Sequence, residues 1–556
     1  MDIIAFTRSK IGANDVPPFV RLKTPPFAVA TKIALGWPAT LATVKSSMRP
    51  LVLTGPMLRH LTEASSEESR RGVDWALAFA TIAASAGTRG EKRAHMGQPR
   101  REGSEAAKIR PAIAAGNLES GSPTTEAKLR EMSKPSKGPL KVSALRRVAA
   151  ALGPGVITGA ADDDPSGIAT YSIAGAQFGT KFLWTAPVLW PLMAAVQMMC
   201  ARIGLVTGRG LAGALRQKYP RWLLAAAAGA LFIANTIIVG ADLGGMADAA
   251  HLLTGVPSFV WVLACGIGIA IATIRLRYAA IANTLKWLAL ILAVYVVAAI
   301  DVHPDWGAVL RATVVPNLPH GRAAWATLVA ILGTTISPYL FFWQASQEIE
   351  EEKAAGQLTI KAREGATATQ IGDRKIDIGL GTLFSNIAMF FIIVTTASTL
   401  HAHGQTQLAT SADVAAALRP LVGRFAMLLY TIGIVGTGLL AIPTLAGSAA
   451  YAFAETFNWR QGIDEKFTRA RAFYAVIGIS IAIGVAMDFV GISAVKALYW
   501  TAVINGLLAP FLMVGILHAA SDRKLMCGQP SSWLGRVVVG LTTLAMFVAG
   551  IAMFVV

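Results

Sequence analysis

Cysteine and charge are what this chain has least of. Its 556 residues include three cysteines, Cys200, Cys265 and Cys527, too few for a disulfide framework and too scattered for a zinc spacing. Only 15% of the residues are charged against 54% apolar, and the mean hydropathy is +0.53. That balance excludes an ordinary soluble protein of this length and fits a polytopic membrane protein. No Walker A run is present, so ATP-driven work is not supported, and the histidines are dispersed; His401 and His403 make only a weak metal signature. Nothing reads as an enzyme, and no cofactor is expected.

The net charge of +18 would suit nucleic acid if it were spread over the chain. It is not: residues 1–147 hold 24 Lys/Arg against 12 Asp/Glu, so most of the excess belongs to an amino-terminal extension and no nucleic-acid partner is expected. Residues 1–145 mix Pro, Ser, Gly, Arg and Glu with apolar pieces too short to span a bilayer, which predicts a basic, disordered cytoplasmic extension. Asp2, Arg8 and Lys10 interrupt the place where a signal peptide needs its apolar core. The membrane domain is expected over 146–556.

Eleven apolar runs of bilayer length follow, at about 150–174, 182–206, 222–252, 257–274, 279–300, 324–346, 376–400, 422–455, 471–489, 494–518 and 534–556. With the amino terminus inside, the inner loops hold 17 Lys/Arg and the outer loops five. Basic residues favour the cytoplasmic side, so the chain is predicted to cross the inner (cell) membrane many times, with its amino terminus cytoplasmic and its carboxy terminus outside. The expected partner on that basis is the lipid bilayer, and the chain is expected to act as a monomer.

The first run carries a costly anomaly, Asp162-Asp163-Asp164-Pro165-Ser166-Gly167. One Asp at the centre of a spanning helix costs roughly 2.5–3.5 kcal/mol, so three need compensation. Successive helical residues point about 100° apart, so three adjacent side chains are not expected to share one site. Asp164 is the favoured ligand. It precedes Pro165, which biases it out of the helical region, and Pro165 has no N–H for the carbonyl of Ala161. A carboxylate beside a freed carbonyl is the hard oxygen chemistry that divalent cations use.

The sixth run repeats the pattern without the charge. Gly333 and Pro338 stand mid-helix among Thr334, Thr335 and Ser337, and Pro338 leaves the carbonyl of Thr334 without its helical donor. Interrupted spans in corresponding positions, first and sixth, are the mark of two inverted five-helix repeats with a substrate site at the midplane.

Gly153-Pro-Gly-Val-Ile-Thr-Gly-Ala-Ala-Asp-Asp-Asp-Pro-Ser-Gly-Ile-Ala-Thr170, the segment Gly333–Tyr339 and the eleven-span layout resemble the NRAMP divalent-metal transporters over roughly residues 145–556. The resemblance implies an all-α leucine-transporter-type fold with helices 1 and 6 interrupted, and an alternating-access site for a divalent metal ion, which is cargo and not a cofactor.

The departures narrow the expected cargo. Members usually read Asp-Pro-Gly-Asn in the first span, with Asp and Asn as ligands; here Asp164 is kept and Gly167 replaces the Asn. The sixth span of the family offers an alanine carbonyl and a methionine thioether followed by Pro-His; the matching positions here are Thr334, Ser337, Pro338 and Tyr339. Loss of a soft sulfur ligand leaves an all-oxygen set, which suits magnesium, or manganese taken partly hydrated. This pattern is similar to the NRAMP-related magnesium transporter branch.

In the third span, Ile233–Met246 resembles the family's proton-pathway helix, yet Asn235 and Gly245 stand where acids are usual and only Asp242 remains. Asn cannot titrate, and Tyr339 replaces the sixth-span His, so uptake without tight proton coupling is expected. Asp162 and Asp163 are expected to line the approach, and Asn505, with Gly506 and Pro510, to loosen the tenth span and offer a polar group to the cavity. Glu348, Glu350, Glu351 and Glu352 read as a solvated face at a helix end. The competing readings are a proton-coupled manganese or iron transporter, a sodium-coupled amino-acid transporter, whose substrate carboxylate three aspartates would repel, and a membrane sensor or scaffold that no longer transports.

Overall fold

Aspartate and proline set where the first helix restarts. Asp164 takes an extended conformation (φ −68°, ψ 171°) as N-cap, and Pro165 occupies the first helical turn of α1, Pro165–Phe178, where a missing N–H costs nothing. The computed structural model describes residues 158–159, 161–276, 292–419, 423–491 and 493–556. The expected amino-terminal extension lies outside the described residues.

Further along, the chain builds α2 (Thr185–Thr207), α3 (Arg221–Thr254), α4 (Ser258–Arg275) and α5 (Ala293–Asp301). The sixth span is two helices, α6 (Arg322–Thr335) and α7 (Pro338–Ala354), with Ile336 and Ser337 between them. Then come α8 (Ala368–Thr399), α9 (Ala426–Phe457), α10 (Arg471–Asp488), α11 (Ala494–Ser521) and α12 (Trp533–Val555). Among the described residues, nine helices or helix pairs are long and apolar enough to cross a membrane. They match the second to fourth and sixth to eleventh predicted spans. The first and fifth lie partly outside the described residues.

Some helices exceed the bilayer. At 1.5 Å per residue the 34 residues of α3 reach about 51 Å, against a hydrocarbon core of about 30 Å. The seventh span was expected at 376–400, but α8 begins at Ala368. Thr367 and Gln370 form a capping box there, a polar signal that an apolar-run reading passes over.

The two broken spans lie inside the bundle. α1 packs on α8, α11 and α6, while α3 is flanked by α9, α10 and α11. Glycine permits the tightest crossing: a Cβ on Gly333 would fall on the Ala502 carbonyl oxygen and the Gly506 nitrogen, and a Cβ on Gly506 on the Val329 carbonyl oxygen. Gly333 therefore does not break the sixth span; it lies inside α6 because that helix meets the α11 backbone there. Pro510 likewise interrupts nothing, since α11 runs through it.

Candidate metal site at two helix breaks

Asp164 is pinned by the helix it starts. Its Oδ1 accepts from the Gly167 backbone N–H at 2.8 Å and from Ser166 Oγ at 2.6 Å, so the run Asp-Pro-Ser-Gly supplies N-cap, first turn and both donors. The cap fixes the carboxylate at the positive end of α1. Gly167 matters as space: a Cβ there would lie 3.2 Å from Thr334 Oγ1 and 3.5 Å from Tyr171 Cε2. Thr334, at the end of α6, thus takes part of the room that the sequence pattern left beside Gly167. Its hydroxyl oxygen is buried and has no partner among the described residues.

Both carbonyls freed by proline find hydroxyls. Tyr339 donates to the Ala161 carbonyl at 3.0 Å. Ser337 turns back on its own chain, its Oγ lying 2.8 Å from both the Gly333 and Thr334 carbonyl oxygens. A carbonyl has two lone pairs, so these bonds leave acceptor capacity at Ala161 and Thr334. The roles of Tyr339 and Ser337 as donors escape a sequence reading, because they depend on which helix end each side chain meets.

Asp162 and Asp163 do not line an open approach. Both are fully buried and converge on α8, where Ser385 Oγ lies 2.7 Å from Asp162 Oδ2 and 3.1 Å from Asp163 Oδ1. Regular helix ends at Asp162, so the expected divergence of adjacent side chains does not apply to this pair. Their other oxygens have no partner among the described residues. Ser385 carries no motif that would have singled it out.

The remaining candidates separate. Asn235 is structural: its Nδ2 donates to the Leu445 carbonyl and to Ser448 Oγ, each at 2.9 Å, tying α3 to α9. Asp242 is fully buried with both carboxylate oxygens unpartnered among the described residues, and Asn505 Oδ1 is buried and unpartnered too. None of the six ion pairs among the described residues includes Asp162, Asp163, Asp164 or Asp242. Four buried carboxylates without a basic partner make a strongly cation-attracting interior.

Two thioethers border the breaks. Met389 Sδ accepts from Thr335 Oγ1 at 3.9 Å, and that hydroxyl lies 3.2 Å from the Tyr171 hydroxyl. A Cβ on Gly438 would meet Met246 Sδ and lie 3.4 Å from Pro165 Cγ. In sequence these methionines look like ordinary core residues.

The acidic run after the break is solvated only in part: Glu351 is exposed, whereas Glu348 and Glu352 are buried. Glu348 is fully buried, accepting from Gln344 Nε2 at 2.7 Å and ion-paired with Arg374 Nε at 2.9 Å. Arg374 also binds Glu351, and Asp377 at 2.7 Å. Gln344 Oε1 receives the Thr158 hydroxyl at 2.9 Å, which links the short stretch before the first break to α7 and α8. At the other end of α8, the His401 and His403 rings bond through Nδ1 to the carbonyls of Ala176 and Thr399.

Comparison with known proteins agrees with this geometry. The natural resistance-associated macrophage protein-like (Nramp) family matches residues 155–556. The divalent metal cation transporter MntH of Yersinia pestis (strain Pestoides F) is 28% identical over 318 residues, 54% of this chain and 73% of that protein. MntH of Yersinia enterocolitica is 25% identical over 404 residues, 70% of this chain and 90% of its own. A manganese transporter of Eremococcus coleocola has a similar fold (TM-score 0.58, 16% identity, covering 75% of this chain and 87% of that one). The fold is all-α and leucine-transporter-type, and neither fold nor relatives point to an enzyme. With its two broken spans and a match over most of its length, the chain belongs to the Nramp family.

Proposed function

We propose that this protein carries a divalent metal cation, magnesium or manganese, across the cell membrane by alternating access. The observation that carries the proposal is that Asp164, capping α1, and the Thr334 hydroxyl at the end of α6, without a partner among the described residues, meet at Gly167: its N–H bonds Asp164, and its Cβ position lies against Thr334. The carbonyls of Ala161 and Thr334 complete an oxygen set. This set, with Gly167 in place of a longer side chain, leaves coordination positions for water, which suits an ion taken partly hydrated. Thr334 and Ser337 stand where the family pattern has a carbonyl and a thioether, and Ser337 serves by holding the broken end of α6.

Burial on all sides describes an occluded site, so release requires one half of a broken span to move against the rest. The membrane potential supplies about 2.3 kcal/mol per charge per 100 mV, twice that for a divalent ion. With Asn235 committed to packing, uptake need not be tightly coupled to protons. The topology that goes with this function has a cytoplasmic amino terminus and an external carboxy terminus, in a monomer.

A second reading, a proton-coupled manganese or iron transporter, is favoured by Met389, whose sulfur accepts from Thr335, and by Met246, whose sulfur borders the same Gly438 position as Pro165. Softer ions prefer such ligands. Uptake of magnesium, manganese and calcium into proteoliposomes across a pH gradient tests both. Magnesium and manganese entry, lost in Asp164→Ala and without proton movement, supports the first. Manganese entry with stoichiometric acidification supports the second, and metal entry unaffected by Asp164→Ala would overturn the site.

A further inference from the structure

We infer that Asp242 is the second charged wall of the ion site, an outer-sphere carboxylate that holds the water shell of the cation from α3 while Asp164 faces it from α1. The inference rests on the proposed transport site and assigns to it a residue outside both helix breaks.

The geometry comes from the helix face that Asp242 shares. A Cβ on Gly245 would lie 3.9 Å from Pro165 Cβ, and Met246 and Pro165 both border the Cβ position of Gly438. Residues three and four apart lie on one helical face. Asp242 therefore belongs to the α3 face turned toward Pro165, the residue next to Asp164.

The second observation is an unmet demand. Asp242 is fully buried, and neither of its oxygens has a partner among the described residues. Asn235, two turns earlier on the same helix, satisfies its side-chain N–H groups on α9. A buried carboxylate without donors is costly, and a hydrated cation would supply the donors it lacks.

Charge and coordination then select the mode. A divalent ion matches two carboxylates, and the described ion pairs give neither Asp164 nor Asp242 a basic partner. Among the described residues no group of three His, Cys, Asp or Glu side chains forms a metal cluster, so Asp242 and Asp164 do not belong to an all-side-chain cage. Contact through retained water is the mode that suits two carboxylates on separate helices, and magnesium keeps its water most firmly.

The test is uptake of magnesium and manganese into proteoliposomes by the native chain, Asp242→Asn and Asp242→Glu, with cobalt(III) hexammine as an exchange-inert stand-in for a hydrated ion. Asp242→Asn is expected to raise the magnesium KM about tenfold, a loss of binding rather than of turnover, and to raise the manganese KM less. Asp242→Glu is expected to restore most of the loss. Hexammine is expected to compete with magnesium on the native chain and to lose about tenfold in potency on Asp242→Asn. A folded Asp242→Asn with native KM values and native hexammine inhibition overturns the inference. So does loss of proton uptake at unchanged KM, which would make Asp242 a proton site. If neither variant folds, hexammine on the native chain decides, and absence of competition overturns the inference. Normal transport by Asp164→Ala is the separate result that would remove the site itself.

Discussion

The Tyr339 hydroxyl donates to the Ala161 carbonyl at 3.0 Å, and both residues are fully buried. One proline frees that carbonyl, and a residue just after the other proline supplies the donor. The bond therefore joins the first break to the second.

Tyr339→Phe keeps the ring and removes that donor. A buried acceptor left unsatisfied costs about 1–3 kcal/mol, so the variant is expected to melt several degrees below the native protein in detergent. If the bond also registers the two breaks, maximal uptake falls more than KM rises. Melting curves and proteoliposome kinetics on the same preparation check both.

Gly167→Asn restores the side chain usual in the family at a position already crowded by Thr334. The single variant is expected to lower uptake of every ion. Gly167→Asn with Thr334→Ala removes the crowding, so it is expected to recover transport and to shift the ratio of manganese to magnesium uptake upward. A double variant no better than the single would show that space at Gly167 is not the constraint.

Gly506→Ala places a methyl group on the Val329 carbonyl of α6. Neither backbone can yield without moving a broken span, and overpacking of this kind costs about 1–3 kcal/mol or more. Reduced yield of monodisperse protein in size-exclusion chromatography is the expected outcome. Gly515→Ala on the same helix, where the nearest atom would be 3.8 Å away, is expected to behave as native.

Arg374→Ala strands Glu348 in the interior. Removing one partner of a buried ion pair costs about 3–5 kcal/mol, so a large drop in melting temperature is expected. The double variant Arg374→Ala with Glu348→Gln should recover a substantial part of it, and a thermodynamic cycle on the four proteins measures the coupling.

Asp522 follows α11, outside the span, with Lys218 Nζ at 2.6 Å. The Lys218 hydrogen bond, aided by the Leu525 and Lys524 backbone N–H groups, lowers its pKa to about 2. A depressed carboxylate pKa contributes stability that is present above the ordinary value near 4 and is lost as pH falls through about 2. The difference in melting temperature between the native chain and Asp522→Asn is therefore expected to be constant from pH 7 to pH 5 and to vanish toward pH 2.

Much of this architecture is local information. Apolar run lengths marked the spans, because a bilayer imposes one length on any helix that crosses it. Prolines marked the breaks at Pro165 and Pro338, because a missing N–H acts on its own chain. Gly333 misled for the complementary reason: whether such a residue breaks a helix or serves packing depends on the helix beside it, here α11, whose backbone it meets at Ala502 and Gly506.

By itself the sequence determined that this is a many-span membrane protein with two interrupted helices and a carboxylate at the first interruption. Hydropathy and backbone chemistry need no partner to be read. Tertiary structure alone decided that Tyr339 answers Ala161, that Asp162 and Asp163 meet Ser385, that Asn235 ties α3 to α9 and that Asp242, on the α3 face turned toward Pro165, has no partner among the described residues. Those are contacts between residues far apart in the chain, and a hydrogen-bonding group reveals its partner, or the lack of one, only once the helices have packed.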